Sequence, residues 1–214
     1  MNNDPAARIE TAIRQHLAPL LRADGFVGSG RTFRRVAGDW IHVVNVQGSR
    51  YGGQFAVNLG VQPLAIPDVR GNPPDAKKIT EELCEFRRRL SESEARTDKW
   101  WKHENTVESM ATAMLDAATM YANTGRLLLG NATAPNSGMN TITACEFATG
   151  TFNFQGFGST TCRMALALSR LRQAQGRGAD SIEFAKYALE HIGSATFLKA
   201  QIQALLKNDA RIDA

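Results

Sequence analysis

Residues 40–62, WIHVVNVQGSRYGGQFAVNLGVQ, decide the architecture. Apolar and polar side chains alternate on both sides of a glycine-rich centre, the period of half-buried strands, and GSRYGG between them has turn composition. RTFRRV, residues 31–36, shows the same period and is separated from Trp40 by the turn-like AGD. These runs predict a three-stranded antiparallel meander over Thr32 to Val36, Trp40 to Gln47 and Gln54 to Gln62. A one-residue slip would move every side chain to the other face, so parity assigns the faces. Pairing Gln47 with Gln54 sets Val46 opposite Phe55, Val44 opposite Val57, His42 opposite Leu59 and Trp40 opposite Val61, an apolar face that must be covered. The other face carries Phe33, Ile41 and Val43 at one end. Arg31, Asn45, Gln47, Asn58 and Gln62 lie toward the other end, with Ala56 and Gly60 between, which makes it half core and half polar shelf.

Upstream, Asp4 can cap a helix with Pro5 at its first position, and Ile9, Ile13, Leu17 and Leu20 follow at helical spacing until Gly25 breaks it. Downstream, VQPLAIPDVRGNPPDAKKI holds four of the seven prolines and predicts a long irregular connection. ELCEFRRRL then alternates again, with Cys84, Phe86 and Leu90 on one side and Glu85, Arg87 and Arg89 on the other. It reads as a fourth strand at a sheet edge, where arginines block further pairing.

From Thr106 the pattern turns helical, with Val107, Met110, Met114, Ala117 and Tyr121 on one face and Gly125 as a stop. GNATAPNSGMN reads as a loop, and TITACEF with TFNFQGF as a short hairpin around Ala148 to Gly150. Three capped helices end the chain: Ser159 or Thr160 to Gln175, Ser181 to Ile192, and Ser194 to Lys207. Leu168, Gly176, Ala188 and Leu189 resemble a tetratricopeptide hairpin with Arg172 in place of the usual aromatic, but no second copy recurs at a fixed period. The expected fold is α+β: an N-terminal helix packed on an antiparallel meander sheet of about four strands, then a mainly helical C-terminal region. The expected organisation is an α+β domain over 1–128, a loop and short hairpin over 129–158, and helices over 159–214.

The 214 residues are 43% hydrophobic and 21% charged, which excludes a disordered tail or a fibrous repeat. Cys84, Cys145 and Cys162 are odd in number and form no CxxC, so neither a disulfide framework nor a zinc ribbon is implied. MNNDPAARIE lacks the pattern of a secretory leader, and no apolar run reaches membrane-spanning length. The expected location is cytoplasmic. The net charge of +4 arises in the first half, since residues 104–214 carry nine Lys/Arg and nine Asp/Glu. A field of that size permits an acidic partner without requiring one.

The order of an N-terminal helix, DGF, GRTFRR, VVNVQGSRYGGQFAVNLGV, CEFRRRL and TDKWW resembles an uncharacterised bacterial family, domain of unknown function 4304. The resemblance covers residues 8–105 and extends as far as 128. Gln47, Ser49 and Arg50 beside Phe55, Asn58, Leu59 and Gly60 give it specificity, because strand propensity does not dictate them. It implies an α+β domain and carries no activity or catalytic residue with it.

Two constellations carry recognition chemistry. Arg31, Asn45, Gln47 and Asn58 project from neighbouring strands, with Ser49 and Arg50 at the hairpin tip, and amides with guanidinium groups offer directional donors to phosphate, carboxylate or a nucleotide edge. The alternative is that they bond the proline-rich loop or a docked helix. Arg87 and Arg89, with Trp100 and Trp101, set cations beside rings as single-stranded nucleic-acid binders do. Glu81, Glu82, Glu85, Glu92, Glu94 and Asp98 dilute that field, and one of the tryptophans is expected in the core.

Weaker signals are outweighed by structural readings. GFGSTT precedes a helix with Arg163 close by, an arrangement read chiefly as capping by Ser159 or Thr160. His16, His42, His103 and His191 form no ligand pair, so no metal or cofactor is expected, and His42 reads as a satisfied core histidine. Cys84 and His103 make a thiolate pair only if the fold joins them. Pro67, Asp68, Asp75 and Lys77 mimic a nuclease pattern within a single loop, where carboxylates do not converge.

Without a complete catalytic set, the expectation is a non-catalytic binding protein, a protein-interaction or regulatory module of immunity or defence type, with a protein partner. The alternatives are an anionic ligand or single-stranded nucleic acid on the Arg/Asn/Gln sheet face, and an enzyme of unrecognised type built around Ser49, Arg50, Asn45 and Asn58.

Overall fold

The computed structural model describes residues 5–92 and 98–209, so Asp4 and Glu94 of the sequence reading lie outside the described residues. The chain opens with α1 (Pro5–Ala12), a π turn (Ile13–Leu17) and α2 (Ala18–Ala23), which run on as one helix. The π turn inserts one extra residue per turn, so the buried stripe after Leu17 continues at Leu21 instead of Leu20. Gly25, at φ +83°, closes the helix, and Phe26 N–H donates to Leu21 O.

Among the described residues six antiparallel strands follow: β1 (Val27–Ser29), β2 (Thr32–Ala37), β3 (Trp40–Gly48), β4 (Gln54–Pro63), β5 (Phe86–Arg89) and β6 (Trp101–Lys102). Their order is β1-β2-β3-β4-β5, with β6 also on β4. The sheet thus has two strands more than expected, β1 and β6, each too brief to show a period in the sequence.

The β3–β4 register differs from the expected one by two residues. Val46 pairs with Val57, Val44 with Leu59, His42 with Val61, and Asn45 with Asn58. Ser49 N–H donates to Gln54 O, which tightens the connection to four residues, with Gly52 and Gly53 at positive φ. A shift of two preserves parity, so the faces of β3 and β4 stand as expected. On β2 they do not. Phe33 pairs with Val44 and sits in the main core, and Val46 N–H donates to Arg31 O, so Arg31 falls on the helix-facing side.

Against that inner face pack α1, the π turn, α2 and a second long helix, α3 (Val107–Met120), a π turn (Tyr121–Gly125) and α4 (Arg126–Thr133). The expected stop at Gly125 is not one. Its backbone is helical, and a Cβ there would lie 2.8 Å from the Tyr121 ring and 3.2 Å from Leu90, so the glycine serves close packing. Val107, expected on the buried face, is exposed. The Tyr121 hydroxyl (2.8 Å) and Arg126 Nε (2.6 Å) both donate to Asp24, tying the second helix to the end of the first.

Short helices α5 (Gly138–Thr141) and α6 (Ala144–Ala148) replace the expected loop and hairpin. Thr143 and Glu146 form a reciprocal capping box that starts α6 where the sequence pattern suggests a strand. Then come α7 (Thr161–Ala174), α8 (Gly178–Glu190) and α9 (Lys199–Asp209). One apolar core runs from Ile9 to Ile202 across the expected boundaries at 128 and 158. Arg172, fully buried, donates to Met139 O and Ile142 O at 3.0–3.1 Å, so it satisfies carbonyls at the end of α5 where an aromatic would fill space only.

Cys84 and Glu85 depart from the alternation expected of a fourth strand. The chain makes a 3-10 turn at Glu81–Leu83 before β5, so Cys84 packs with Ile41, Val43 and Ile79 on the outer face while Phe86 faces the main core. Glu85, expected outward, is buried and receives Arg163 through two bonds (2.9 and 3.2 Å), with Arg170 at 3.8 Å. Burial raises its pKa, and the two arginines oppose that rise. Arg87 exchanges backbone hydrogen bonds with Gly158, so the β5 edge is covered by the approach to α7.

Removing one member of a buried ion cluster leaves the others uncompensated. Glu85→Ala is expected to lower stability by about 3–5 kcal/mol in urea unfolding and to raise amide exchange in α7. An unchanged midpoint would show that α7 docks without the cluster.

Candidate functional site

The outer sheet face divides in two. Over its apolar half, Ile41, Val43 and Gly60, the proline-rich segment folds back, bringing Ile79, Cys84, Ala76 and Leu83 into contact. Gln62, fully buried, holds this cover: its amide nitrogen lies 3.0–3.3 Å from the carbonyls of Pro63, Ile66 and Pro67, and its oxygen accepts from Glu85 N–H at 3.0 Å. For Gln62, bonding to the loop is therefore the role the structure gives. The other half stays open as a groove of about 840 Å³, lined by Asn45, Gln47 and Asn58, by Arg87, Arg88 and Arg89, by Glu81 and Glu82, and by Asp98, Gly158 and Ser159.

Register explains the floor. Asn45 faces Asn58, which faces Arg89, and Gly60 faces Arg87. Asn58 Nδ2 donates to Gln47 Oε1 at 3.0 Å and lies 3.5 Å from Asn45 Oδ1, while Asn45 Nδ2 donates to Thr32 Oγ1 at 3.0 Å. This amide ladder commits both Asn58 hydrogens and leaves Asn58 Oδ1 as an acceptor and Gln47 Nε2 as a donor toward the groove. Arg89 is fixed twice, by Asp98 at 2.7 Å and by the Trp100 ring 4.2 Å from its guanidinium carbon.

The structure thus joins Asn45, Gln47 and Asn58 of the shelf with Arg87 and Arg89 of the basic set. It does not bring in the rest. Arg31 pairs with Glu10 at 2.9 Å on the helix side. Ser49 Oγ accepts from Tyr51 N–H at 3.2 Å, and Arg50 bonds and stacks on exposed Tyr51 at the hairpin tip. Trp101 is core, stacked 5.8 Å from Phe55 and donating to Asp116 at 2.8 Å. Trp100 borders the groove through Arg89, which covers its ring.

Glu81 is a groove residue that sequence patterning read only as a charge diluting the arginines, because the 3-10 turn that carries it toward the sheet has no period to show it. The available signal was Gly60: a glycine inside a strand marks a close approach by another backbone. A Cβ at Gly60 would meet Cys84 Sγ at 2.8 Å and Glu81 Cα at 3.5 Å. Burial, with Glu82 adding to it, raises the Glu81 pKa to about 7 against the pull of Arg87 and Arg89.

The remaining candidates have structural partners. His42 Nδ1 accepts from Arg35 Nε at 3.2 Å, so Nε2 carries the proton and donates to Thr133 Oγ1 at 2.9 Å. Burial, with Arg35 beside it, lowers its pKa to about 3, a neutral core histidine. Cys84 lies on the outer face, whereas His103 stacks against Phe55 of the inner face, so no thiolate pair forms, and burial pushes the Cys84 thiol well up. Asp68 and Asp75 accept bonds from backbone amides of their own turns. Thr160 holds the N-cap position of α7 without a side-chain capping bond, and Ser159 Oγ is buried without a partner, so the expected hydroxyl cap is not made. No group of three or more potential metal ligands occurs among the described residues.

Glu81 generates a sign-specific expectation. Its carboxyl keeps a proton up to about pH 7 when folded and up to 4.5 when unfolded, so the folded state holds more protons between these values and stability falls as pH rises through them. Glu81→Gln removes that loss. Above pH 7 the variant is expected to be more stable than the parent by about 1–3 kcal/mol, and the two should converge below about pH 4.5. A difference independent of pH in urea unfolding would count against a buried titrating carboxyl.

No curated protein and no solved structure matches the chain. A family model does, over the sheet and the helix that covers it, from Leu17 to Ala122, whereas the helices from α4 onward lie outside the match. The model of the family described as domain of unknown function DUF4304 matches residues 17–122 of the chain.

Proposed function

We propose that the chain is a non-catalytic binding protein whose ligand, a small polar molecule carrying an anionic group, occupies the groove on the outer sheet face. The observation that carries this reading is convergence. Three strands, a 3-10 turn and the approach to α7 direct amides, guanidinium groups and carboxyls into one cavity of about 840 Å³, a size suited to small molecules. Arg87 supplies the anchor, since its Nη1 makes only a long contact, 3.5 Å, to Glu82 O.

Groove composition argues against nucleic acid. Glu81, Glu82 and Asp98 offset the cations, Arg89 covers Trp100, and among the described residues no aromatic lines the cavity to stack a base. A regulatory role through a protein partner is the second reading. Its support is that the Gly158 and Ser159 wall of the groove is continuous with α7, so a partner on the helices could act on the groove. The three free thiols suit a reducing, cytoplasmic setting, and no helix among the described residues is long and apolar enough to cross a membrane.

Thermal-shift and calorimetric titration should detect a small polar ligand drawn from carboxylates, phosphates and amino acids. Binding is expected to weaken about tenfold or more in Arg87→Ala, which loses a charge-assisted bond, and in Asn58→Leu. Tight binding of a single-stranded oligonucleotide with a steep salt slope, unchanged in both variants, would overturn the proposal.

A further inference from the structure

The groove contains an arrangement that narrows the class of its ligand, provided that the groove is the binding site proposed above. Glu81 and Arg87 flank the same residue: Glu81 Cα lies 3.5 Å from the position a Gly60 Cβ would take, and Arg87 is the cross-strand neighbour of Gly60. Neighbours of opposite charge ordinarily pair. Here the Glu81 carboxyl feels the charges of Arg87 and Arg89 but, among the described residues, touches neither in an ion pair and accepts no hydrogen bond, and the Arg87 guanidinium makes only a long hydrogen bond, to Glu82 O. One cavity therefore holds an acid and a base that neighbour each other without direct contact, with an acceptor, Asn58 Oδ1, and a donor, Gln47 Nε2, on the floor between β3 and β4.

We propose that the ligand is a small zwitterion, an amino acid or dipeptide, with its carboxylate on Arg87 and its ammonium on Glu81. A polyanion is a poor fit, because Glu81, Glu82 and Asp98 face the same space as Arg87 and Arg89. A simple cation is opposed by the two arginines. A zwitterion supplies both groups with a direct partner at once, and a fork-shaped guanidinium matches a carboxylate through two parallel bonds. The floor amides then hold the polar remainder of the ligand.

Proton linkage gives the inference a sign. The charged or titratable groups facing Glu81 are Glu82 on its own turn, the Cys84 thiol just after it, whose pKa burial holds well up, and Arg87 and Arg89 on β5, with Asp98 also lining the groove. An ammonium placed on Glu81 favours its ionised form, so binding near neutral pH releases a proton. A simple anion placed beside Glu81 favours the protonated form, so its binding takes a proton up. A neutral polyol moves no proton.

The test is calorimetry on the full chain at about pH 6.5, in two buffers of different ionisation enthalpy. The probes are the common α-amino acids, a set of dipeptides, acetate, inorganic phosphate, ethylamine and glucose. At least one amino acid or dipeptide is expected to bind with proton release, and which of the two series binds identifies the source. Acetate and ethylamine should bind about tenfold more weakly or worse, and Glu81→Gln and Arg87→Gln should each weaken the zwitterion about tenfold. Proton release should vanish in Glu81→Gln, a readout that mere loss of packing does not move. Acetate or phosphate binding as well as any zwitterion, with proton uptake, would overturn the inference and leave the groove reading standing. Glucose binding without proton exchange would do the same. If no zwitterion binds, the inference falls, and the Arg87→Ala and Asn58→Leu titrations decide the reading beneath it.

Discussion

The carboxylate of Glu85 leaves water at the point where the chain passes from a 3-10 turn into β5, and a buried charge of that kind persists only when countercharges come to it. Arg163 and Arg170 come from α7. Much of the remaining geometry follows from that pairing. It holds α7 against the sheet, sets Gly158 where it can exchange backbone bonds with Arg87, and so covers a sheet edge that would otherwise stay open. The Glu85 amide, donating to Gln62, ties the same point to the cover over the apolar half of the outer face. Helical end, proline-rich segment and sheet therefore meet at one residue.

The groove is what this packing leaves uncovered. Ile41 and Val43 need burial, and the connection between β4 and β5 supplies it. Asn45, Gln47 and Asn58 do not, because their amides bond to one another and to Thr32. A polar floor that satisfies most of its own valences costs little to leave open, yet it stays rigid, which suits recognition. Its charges are balanced instead of uniformly basic, so long-range attraction for an anion is weak there.

Periodicity made the faces of β3 and β4 legible without their partners, because a register error of two residues leaves every side chain on its side. It failed where the chain departs from a regular period. The π turn moved the buried position from Leu20 to Leu21, and the 3-10 turn put Cys84 and Phe86 on opposite faces. On β2, parity depended on the turn between strands, whose length the sequence left open, and Phe33 and Arg31 changed sides accordingly. A glycine also carries two meanings in a sequence: Gly25 does end a helix, whereas Gly125 makes room for the Tyr121 ring and Leu90.

By itself the amino-acid sequence determined the α+β class, the meander, the polar half-face of Asn45, Gln47 and Asn58, and the core fate of His42. These follow from local alternation and from the cost of burying polar groups. Tertiary structure alone decided that Arg87 and Arg89 share a cavity with those amides, that Trp101 is interior, that Glu85 anchors the helical end, and that Glu81 stands beside Arg87 over Gly60. The physical reason is separation along the chain. Glu81 reaches the sheet through a long connection without a period, and α7 lies far beyond β5, so only long-range packing brings their charges together.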